Sequence, residues 1–261
     1  MATHTAPILD RILESRRAWI NELKAGKQSD GTSATQAPEP RDFRRALRGP
    51  RVALIAECKQ RSPSGGVLQQ RYDPVGLARR YAANGASAIS VLTEPDFFGG
   101  SFEHLRAVRA AVDLPLLCKD FIIDPVQLGV ARSAGADAVL LIVGILDDRN
   151  LRTLHQSATV LGMQVVVEVH DEAEARRAVG IEAAIIGINN RDLTRMKTDK
   201  TTSARLRPLV PVATTVISES GIDSRADIDE LARLKVDAAL VGEALLRADN
   251  LEAKVRQLSG Q

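Results

Sequence analysis

Short apolar runs alternate with longer amphipathic segments from about residue 52 to the end of the chain. The segments between the runs repeat their apolar positions at the period of a helix, and several end in Gly, which commonly terminates helices. The pattern therefore predicts eight strand–helix units. The eight runs, which start roughly 20 to 36 residues apart, are "VALIAE", "AISVLT", "PLLCK", "AVLLIV", "QVVVEV", "AAIIGI", "TTVISE" and "AALVG".

Strands that alternate with helices pair in parallel, because a parallel neighbour requires a crossover connection. Eight units in roughly 210 residues favour an α/β fold, a (β/α)8 TIM barrel, over an open doubly wound sheet. The open sheet normally has a G-x-G-x-x-G turn after its first strand, whereas this chain has "KQRSPSGG" there. We expect residues 51–261 to form the barrel and to be the catalytic domain.

Residues 1–50 precede the repeat, and their pattern predicts an N-terminal helical extension. Ile8, Ile12, Trp19 and Leu23 share one face of a helix in "PILDRILESRRAWINELKAG", and "DFRRALRG" predicts a second, short helix. The polar, proline-bearing "KQSDGTSATQAPEP" connects them. The extension is too short for a core of its own, so we expect it to pack on the barrel within a single domain.

Charged residues appear on two predicted strands where each strand ends. Side chains alternate along a strand, so Glu57 and Lys59 share a face and Cys58 points away from them. Lys119 ends a second strand, with Cys118 directed toward the helices. In (β/α)8 barrels the chemistry gathers at the carboxyl ends of the strands, so we expect Glu57, Lys59 and Lys119 at the barrel mouth.

Three later strands also finish in polar residues. Glu168 ends the fifth, Asn189 and Arg191 follow the sixth, and Glu219 ends the seventh. Charges in a low-dielectric mouth are costly unless they are paired, and here both signs converge. A structural ion-pair network that closes the barrel is one explanation. Because all these residues occupy rim positions, we favour a catalytic site.

Serine and glycine residues predict a phosphate site. Ser62, the pair Ser220–Gly221 and Gly242 all lie where strands pass into helices. Backbone N–H groups at such positions bind phosphate, and barrels commonly build that site from the loops after strands seven and eight. Ser and Gly also cap helices in general. Two occurrences in successive units nevertheless favour a small phosphorylated substrate.

Composition excludes several classes of partner. The 261-residue chain has a net charge of +2, dispersed basic residues and 3% aromatic residues, which argues against nucleic-acid binding. No apolar stretch approaches the ~20 residues of a membrane span, and the N-terminus lacks a signal-peptide pattern. We therefore expect a cytoplasmic protein without a membrane partner.

Cysteine and histidine residues do not predict a metal centre. The two cysteines, Cys58 and Cys118, lack metal-ligand spacing. His104, His155 and His170 occur in helical or loop segments without partners at ligand spacing, and we interpret them as solvated residues.

Seven motifs together resemble one enzyme family. "AECKQRSPSGG", "SVLTEPDFFGGS", "LLCKDFIID", "VVVEVHDE", "GINNRDL", "SESGI" and "LVGEALLR", in this order and spacing, resemble indole-3-glycerol-phosphate synthases of tryptophan biosynthesis. The resemblance implies a (β/α)8 barrel with an extra N-terminal helix. It also implies ring closure of 1-(2-carboxyphenylamino)-1-deoxyribulose 5-phosphate with loss of carbon dioxide and water, using no metal and no organic cofactor.

The resemblance also assigns catalytic roles. Lys119 is the general acid that protonates the substrate ketone, and Glu168 is the general base of the dehydration. Lys59 holds the substrate carboxylate and donates a proton for the loss of water, while Glu57 and Glu219 orient the lysines and bind hydroxyls.

The remaining assignments concern binding. Asn189 and Arg191 hold the substrate at the rim, with packing from Leu193. The anthranilate ring is assigned to a pocket of Phe98, Phe121 and Leu140. The phosphate is assigned to Ser62, Ser220, Gly221, Gly242 and Glu243, the last through its backbone.

Two other functions remain open at this point. Phosphoribosylanthranilate isomerase is also a phosphate-binding barrel, and Cys58 would be its catalytic cysteine, although strand alternation turns Cys58 away from the mouth. A barrel that binds a phosphometabolite without turnover is the second.

Gly65 stands where the indole-3-glycerol-phosphate synthase family often has Lys. We expect a monomer, with a weak homodimer as the alternative.

Overall fold

The computed structural model describes residues 8–26, 37–63, 65–192 and 197–261. Parallel strands close into a barrel in the order β1-β8-β7-β6-β5-β4-β3-β2, which confirms the predicted fold. Strand β1 closes it by pairing with β8 on one side and β2 on the other. The strands are β1 (Ala53–Cys58), β2 (Ala88–Leu92), β3 (Leu116–Lys119), β4 (Ala138–Ile142), β5 (Gln164–Val169), β6 (Ile185–Asn189), β7 (Thr215–Glu219) and β8 (Ala238–Val241).

Helices surround the barrel, and polar side chains cap most of their N-termini. Asp73, Asp124, Asp147, Asp171 and Ser224 each accept a hydrogen bond from the first turn of the helix that follows. The helices are α1 (Ile8–Lys24), α2 (Phe43–Ala46), α3 (Pro74–Ala83), α4 (Pro95–Phe98), α5 (Phe102–Ala111), α6 (Pro125–Ser133), α7 (Asp148–Val160), α8 (Glu172–Gly180), α9 (Thr201–Leu206), α10 (Arg225–Arg233), α11 (Glu243–Leu246) and α12 (Leu251–Ser259), with 3-10 turns at Val143–Ile145 and Arg207–Leu209.

Two short antiparallel pairs stand outside the barrel. Arg61–Ser62 pairs with Gly66–Val67 just after β1, and Arg191–Asp192 pairs with Lys197–Thr198 just after β6. Both pairs therefore begin at the carboxyl end of a barrel strand, beside the mouth.

Strand alternation divides the core into two parts. Residues such as Ile55, Leu117 and Val166 fill the barrel interior. The alternate positions, including Cys58 and Cys118, pack between the strands and the helices. The predicted outward direction of both cysteines is confirmed.

Helix α1 packs against the mouth end of the barrel. Its buried residues are Ile12, Arg16 and Ile20. Of the predicted apolar face only Ile12 is fully buried, since the other three residues are half-buried, and an arginine lies at the centre of the buried side. The Arg16 guanidinium lies 4.0 Å above the Trp19 ring, and its Nε lies 3.3 Å from Oδ1 of Asp120, next to Lys119. The predicted short helix is α2. The division at residue 50 stays a prediction, and most of the predicted connector lies outside the described residues.

Candidate active site

A cavity of about 990 Å³ opens at the carboxyl ends of the barrel strands. Residues from the ends of β1, β3, β5, β6 and β7 line it, together with the loops after β7 and β8. The position is the one predicted from the polar residues that end the strands, because a closed parallel barrel brings the carboxyl ends of all its strands to one rim.

Glu57 and Lys59 form an ion pair at the wall of this cavity. Nζ of Lys59 lies 2.5 Å from Oε1 of Glu57, and the two side chains are only 12% and 6% exposed. Gly242, at the end of the neighbouring strand β8, lies directly against Glu57. The pair therefore brings a cation and an anion into a partly enclosed space, where their fields act on a ligand more strongly than in water.

Lys119 is shared between two buried carboxylates. Its Nζ lies 2.7 Å from Oε2 of Glu168 and 2.6 Å from Oε2 of Glu219. Burial lowers the pKa of Lys119, but the carboxylates of Glu168 and Glu219 outweigh burial and raise its pKa above the ordinary value. Lys119 therefore carries a proton at neutral pH.

The pKa values of Glu168 and Glu219 shift in opposite directions although both side chains contact the same ammonium group. Burial raises the pKa of Glu168, but Lys119 and His170 more than offset burial, so the Glu168 pKa falls below its usual range. For Glu219, burial outweighs Lys119 and raises the pKa to about 7. Environments that separate the pKa values of neighbouring carboxyl groups are typical of acid–base sites.

Asn189 connects the carboxylates to the loops at the rim. Its Nδ2 donates to Oε1 of Glu168 at 3.2 Å. Its Oδ1 accepts from the hydroxyl of Ser220 at 2.9 Å and from the backbone N–H of Arg191 at 3.0 Å. The amide thus fixes two loop residues relative to Glu168.

His170 is a half-buried partner of Glu168, so its interpretation as a solvated residue is wrong. Its side chain is 17% exposed, with Nε2 3.2 Å from Oε1 of Glu168 and Nδ1 3.0 Å from Oε2 of Glu174. A signal was available in the sequence: His170 is two positions after Glu168, the same spacing that relates Glu57 to Lys59. His104 and His155 are partly buried, and burial lowers the pKa of each.

The loops after β7 and β8 form the side of the cavity predicted to hold phosphate. Ser220 and Gly221 both have left-handed backbone conformations, with φ of 67° and 77°. A non-glycine residue in this conformation is strained, and such strain concentrates at functional sites. The carboxylate of Glu243 lies 3.5 Å from Arg191 and 2.8 Å from Arg247, so two cationic side chains lie on this side of the cavity. Ser62 also lines the cavity.

Apolar side chains form another part of the cavity wall. The rings of Phe98 and Phe121 are 5.9 Å apart in a tilted arrangement, and Leu140 lines the cavity with them. Such a wall provides the shape and the low polarity that an aromatic ring requires.

The predicted site residues come together along this one cavity, apart from Leu193, which lies outside the described residues. The sequence did not single out Asp120, which also lines the cavity, contacts Arg16 and accepts a hydrogen bond from Thr93 at 2.6 Å. The lining residues that were predicted are Glu57, Lys59, Ser62, Phe98, Lys119, Phe121, Leu140, Glu168, Asn189, Arg191, Glu219, Ser220, Gly221, Gly242 and Glu243.

The sequence profile of the family described as "Indole-3-glycerol phosphate synthase" matches residues 9–258. The chain belongs to the indole-3-glycerol phosphate synthase family. It is 49% identical to the indole-3-glycerol phosphate synthase of Roseiflexus sp. (strain RS-1), over 97% of this chain and 98% of the relative. It is 50% identical to that of Nocardioides sp. (strain ATCC BAA-499 / JS614), with the same two coverages.

Membership in the indole-3-glycerol phosphate synthase family makes the chain an enzyme. It is a carboxy-lyase of tryptophan biosynthesis, as its motifs led us to expect. No helix among the described residues is long and apolar enough to cross a membrane.

Solved structures with low sequence identity share the fold of this chain. The crystal structure of 3-hexulose-6-phosphate synthase from Salmonella typhimurium aligns with a TM-score of 0.66 at 17% identity, covering 80% of this chain and 97% of that one. Thiamine phosphate pyrophosphorylase from Pyrococcus furiosus aligns with a TM-score of 0.62 at 17% identity, covering 84% and 96%. At this identity the likeness concerns the barrel alone.

Proposed function

We propose that this chain closes the indole ring of 1-(2-carboxyphenylamino)-1-deoxyribulose 5-phosphate, with loss of carbon dioxide and water, by lysine and glutamate acid–base catalysis. One observation supports this most strongly. The ammonium group of Lys119 contacts Glu168 and Glu219 in the same cavity that holds the Glu57–Lys59 pair. A site with paired acids and bases suits a reaction with several proton transfers.

Lys119 is the acid of the first step. The ring carbon that bears the carboxylate attacks the ketone carbon, and negative charge develops on the ketone oxygen. Lys119 gives its proton to that oxygen as the carbon–carbon bond forms. Its raised pKa keeps it protonated before the reaction. The carboxylates of Glu168 and Glu219 balance the positive charge of its ammonium group in the cavity.

Lys59 acts in the next two steps. Its ammonium group holds the substrate carboxylate beside the new bond, with Glu57 orienting the ammonium from 2.5 Å away. The carbon–carboxylate bond then breaks, and its electron pair restores the aromatic ring as carbon dioxide leaves. Lys59 next protonates the new hydroxyl, which departs as water while the nitrogen lone pair forms an iminium.

Glu168 completes the reaction as the base. It takes the proton from the carbon next to the iminium, and the electron pair forms the final double bond of the indole. Asn189 donates to this carboxylate at 3.2 Å, which supports a fixed orientation for it. Glu219 supports Lys119 and binds substrate hydroxyls.

The rest of the cavity binds the two ends of the substrate. We assign the anthranilate ring to the apolar wall, and the loops after β7 and β8 to the phosphate. Arg191 holds the substrate at the rim, and packing from Leu193 stays a prediction. The assigned groups are Phe98, Phe121 and Leu140 for the ring, and Ser62, Ser220, Gly221, Gly242 and the backbone of Glu243 for the phosphate.

The test is to mix the purified chain with the anthranilate-derived ketose phosphate and to follow indole fluorescence and carbon dioxide release. We expect both signals in equal amounts. Phosphoribosylanthranilate, the substrate of the rival isomerase, should give no turnover. Binding of the ketose phosphate without product would support the binding-only alternative and would contradict the proposal.

Three accompanying predictions concern the protein as a whole. We propose that it needs no metal or organic cofactor, that it is a monomer rather than a weak homodimer, and that it acts in the cytoplasm without a nucleic-acid partner. Activity after exhaustive treatment with a chelator, and the mass of the protein in solution, test the first two.

A further inference from the structure

Two carboxylates hold the His170 imidazole between them. Nδ1 lies 3.0 Å from Oε2 of Glu174, and Nε2 lies 3.2 Å from Oε1 of Glu168. With a carboxylate near each nitrogen, the imidazole is stabilised in its charged form, in which both nitrogens carry a proton. The chain of contacts runs from helix α8 to the barrel interior.

Glu174 is itself held in place, so it can orient the ring. Its Oε2 also accepts the backbone N–H of His170 at 2.8 Å. Its other oxygen lies against Gly144, where a Cβ would come within 2.7 Å of it. The Asp171 side chain caps α8 by accepting from the backbone N–H of Glu174 at 2.9 Å. The geometry thus presents Nε2 to Glu168.

The two oxygens of Glu168 have different partners. Oε2 contacts Lys119, whereas Oε1 contacts His170 and Asn189. When Lys119 turns to the ketone oxygen of a substrate, Oε2 loses its partner and becomes available as a base. The contacts at Oε1 remain, so the carboxylate keeps its place.

We propose that His170 is a positioning residue for Glu168: it holds Oε1, keeps the carboxylate ionised, and leaves Oε2 as the atom that takes the substrate proton. This inference rests on the proposed role of Glu168. In this structure Nε2 of His170 lies at ion-pair distance from Oε1 of Glu168, but the two groups are not aligned for a hydrogen bond. Catalytic hydrogen bonds are often poorly aligned without substrate and tighten when it binds.

The pKa of His170 agrees with its position between two carboxylates. Burial lowers the pKa of His170, but its contacts with Glu168 and Glu174 more than offset burial and raise the pKa to about 10. Among the described residues, the ionised groups that face the imidazole are Glu168 from β5 and Glu174 from α8; Lys119 from β3 contacts the far oxygen of Glu168. The cation is therefore present through the physiological pH range, and its removal raises the Glu168 pKa.

The test compares His170→Gln and Glu174→Gln with His155→Gln, the same histidine replacement on helix α7. We expect His170→Gln to lower kcat about tenfold or more, because the base loses its orientation, with KM changed less than about threefold. The acidic limb of the kcat–pH profile should move up by about one pH unit, because Glu168 loses a neighbouring cation. Glu174→Gln should give part of both effects, and His155→Gln neither.

A second readout does not depend on activity. The imidazole of His170, followed by NMR in the full chain, should stay charged at pH 8 in the wild type and titrate at lower pH in Glu174→Gln and in Glu168→Gln. If His170→Gln keeps normal kcat, or lowers it equally at every pH, or if the His170 pKa is the same in all variants, the inference is overturned.

Glu168→Gln separates this inference from the proposed function. If that variant is nearly inactive while His170→Gln behaves as the wild type, only the role of His170 fails. If Glu168→Gln itself turns over normally, the proposed catalytic roles fail and the role of His170 fails with them.

Discussion

Gly242 and Glu57 lie against each other where the neighbouring strands β8 and β1 end. A Cβ at position 242 would overlap Oε1 of Glu57 and lie 3.1 Å from its Cβ. Glu57 is 5% exposed, and the Oε1 that this Cβ would meet is the atom that contacts Nζ of Lys59. The absence of a side chain at 242 is therefore a condition for the Glu57–Lys59 pair.

Gly242→Ala should displace the Glu57 carboxylate. Overpacking costs about 1–3 kcal/mol of stability, and we expect kcat/KM to fall at least about tenfold because the ammonium of Lys59 loses its orientation. Gly129→Ala is the control, since position 129 is inside helix α6 with open space around it and should gain about 0.5–1 kcal/mol. Equal effects of the two variants on kcat/KM would contradict the role of Gly242.

Gly221→Ala should weaken phosphate binding. Its φ of 77° costs an alanine about 1–2 kcal/mol, and the new Cβ would lie 2.8 Å from Cγ2 of Thr198. We expect KM to rise about tenfold or more as the loop moves. Gly26→Ala bears the same conformational cost, with φ of 68° and nothing within 4 Å, so its KM should not change. The KM of each variant for the phosphorylated substrate is the measurement that tests this prediction.

Glu219 should make stability depend on pH. Because burial raises its pKa from 4.5 to about 7, the folded protein keeps a proton there that the unfolded chain has lost. The contribution of Glu219 to the free energy of unfolding therefore falls as pH rises from about 4.5 to 7.

Glu219→Gln should remove this dependence. Urea unfolding across that pH range should show the free energy of unfolding of the variant increasing relative to that of the wild type as pH rises. The exposed Glu172→Gln serves as the control, with a constant difference from the wild type. A constant difference for Glu219→Gln as well would mean that the Glu219 pKa is not raised.

Cys58→Ala separates the synthase from the isomerase. Cys58 is fully buried beneath helix α3, and burial raises the pKa of its thiol, so it is a poor nucleophile. We expect kcat within about twofold of the wild type and a loss of roughly 1 kcal/mol of stability. Loss of turnover in a folded variant would instead support a catalytic cysteine.

Strand periodicity predicted the barrel and most of the site for one physical reason. Alternation decides which face a residue joins, and barrel closure brings all strand ends to one rim, so Glu57, Lys59 and Glu219 could be located without coordinates. The same argument turned Cys58 outward, and the structure confirms it.

The contacts of two charged side chains, Arg16 and His170, could not be predicted in this way. Arg16 lies on the apolar face of α1, and its partner Asp120 is far away in the sequence, so no local pattern links them. His170 follows the end of β5, where the strand pattern gives way to a loop, and its second partner Glu174 belongs to the next helix. Contacts that depend on how a loop turns require the folded chain.

The most direct test of the central claim, that Lys119 supplies the proton for ring closure, is the kcat of Lys119→Met for indole formation from the purified ketose phosphate. The exposed Lys235→Met is the matched control, and circular dichroism checks folding. We predict that Lys119→Met lowers kcat about 10²–10⁴-fold while the control stays near the wild type. A folded Lys119→Met with a kcat close to that of the wild type would contradict the account.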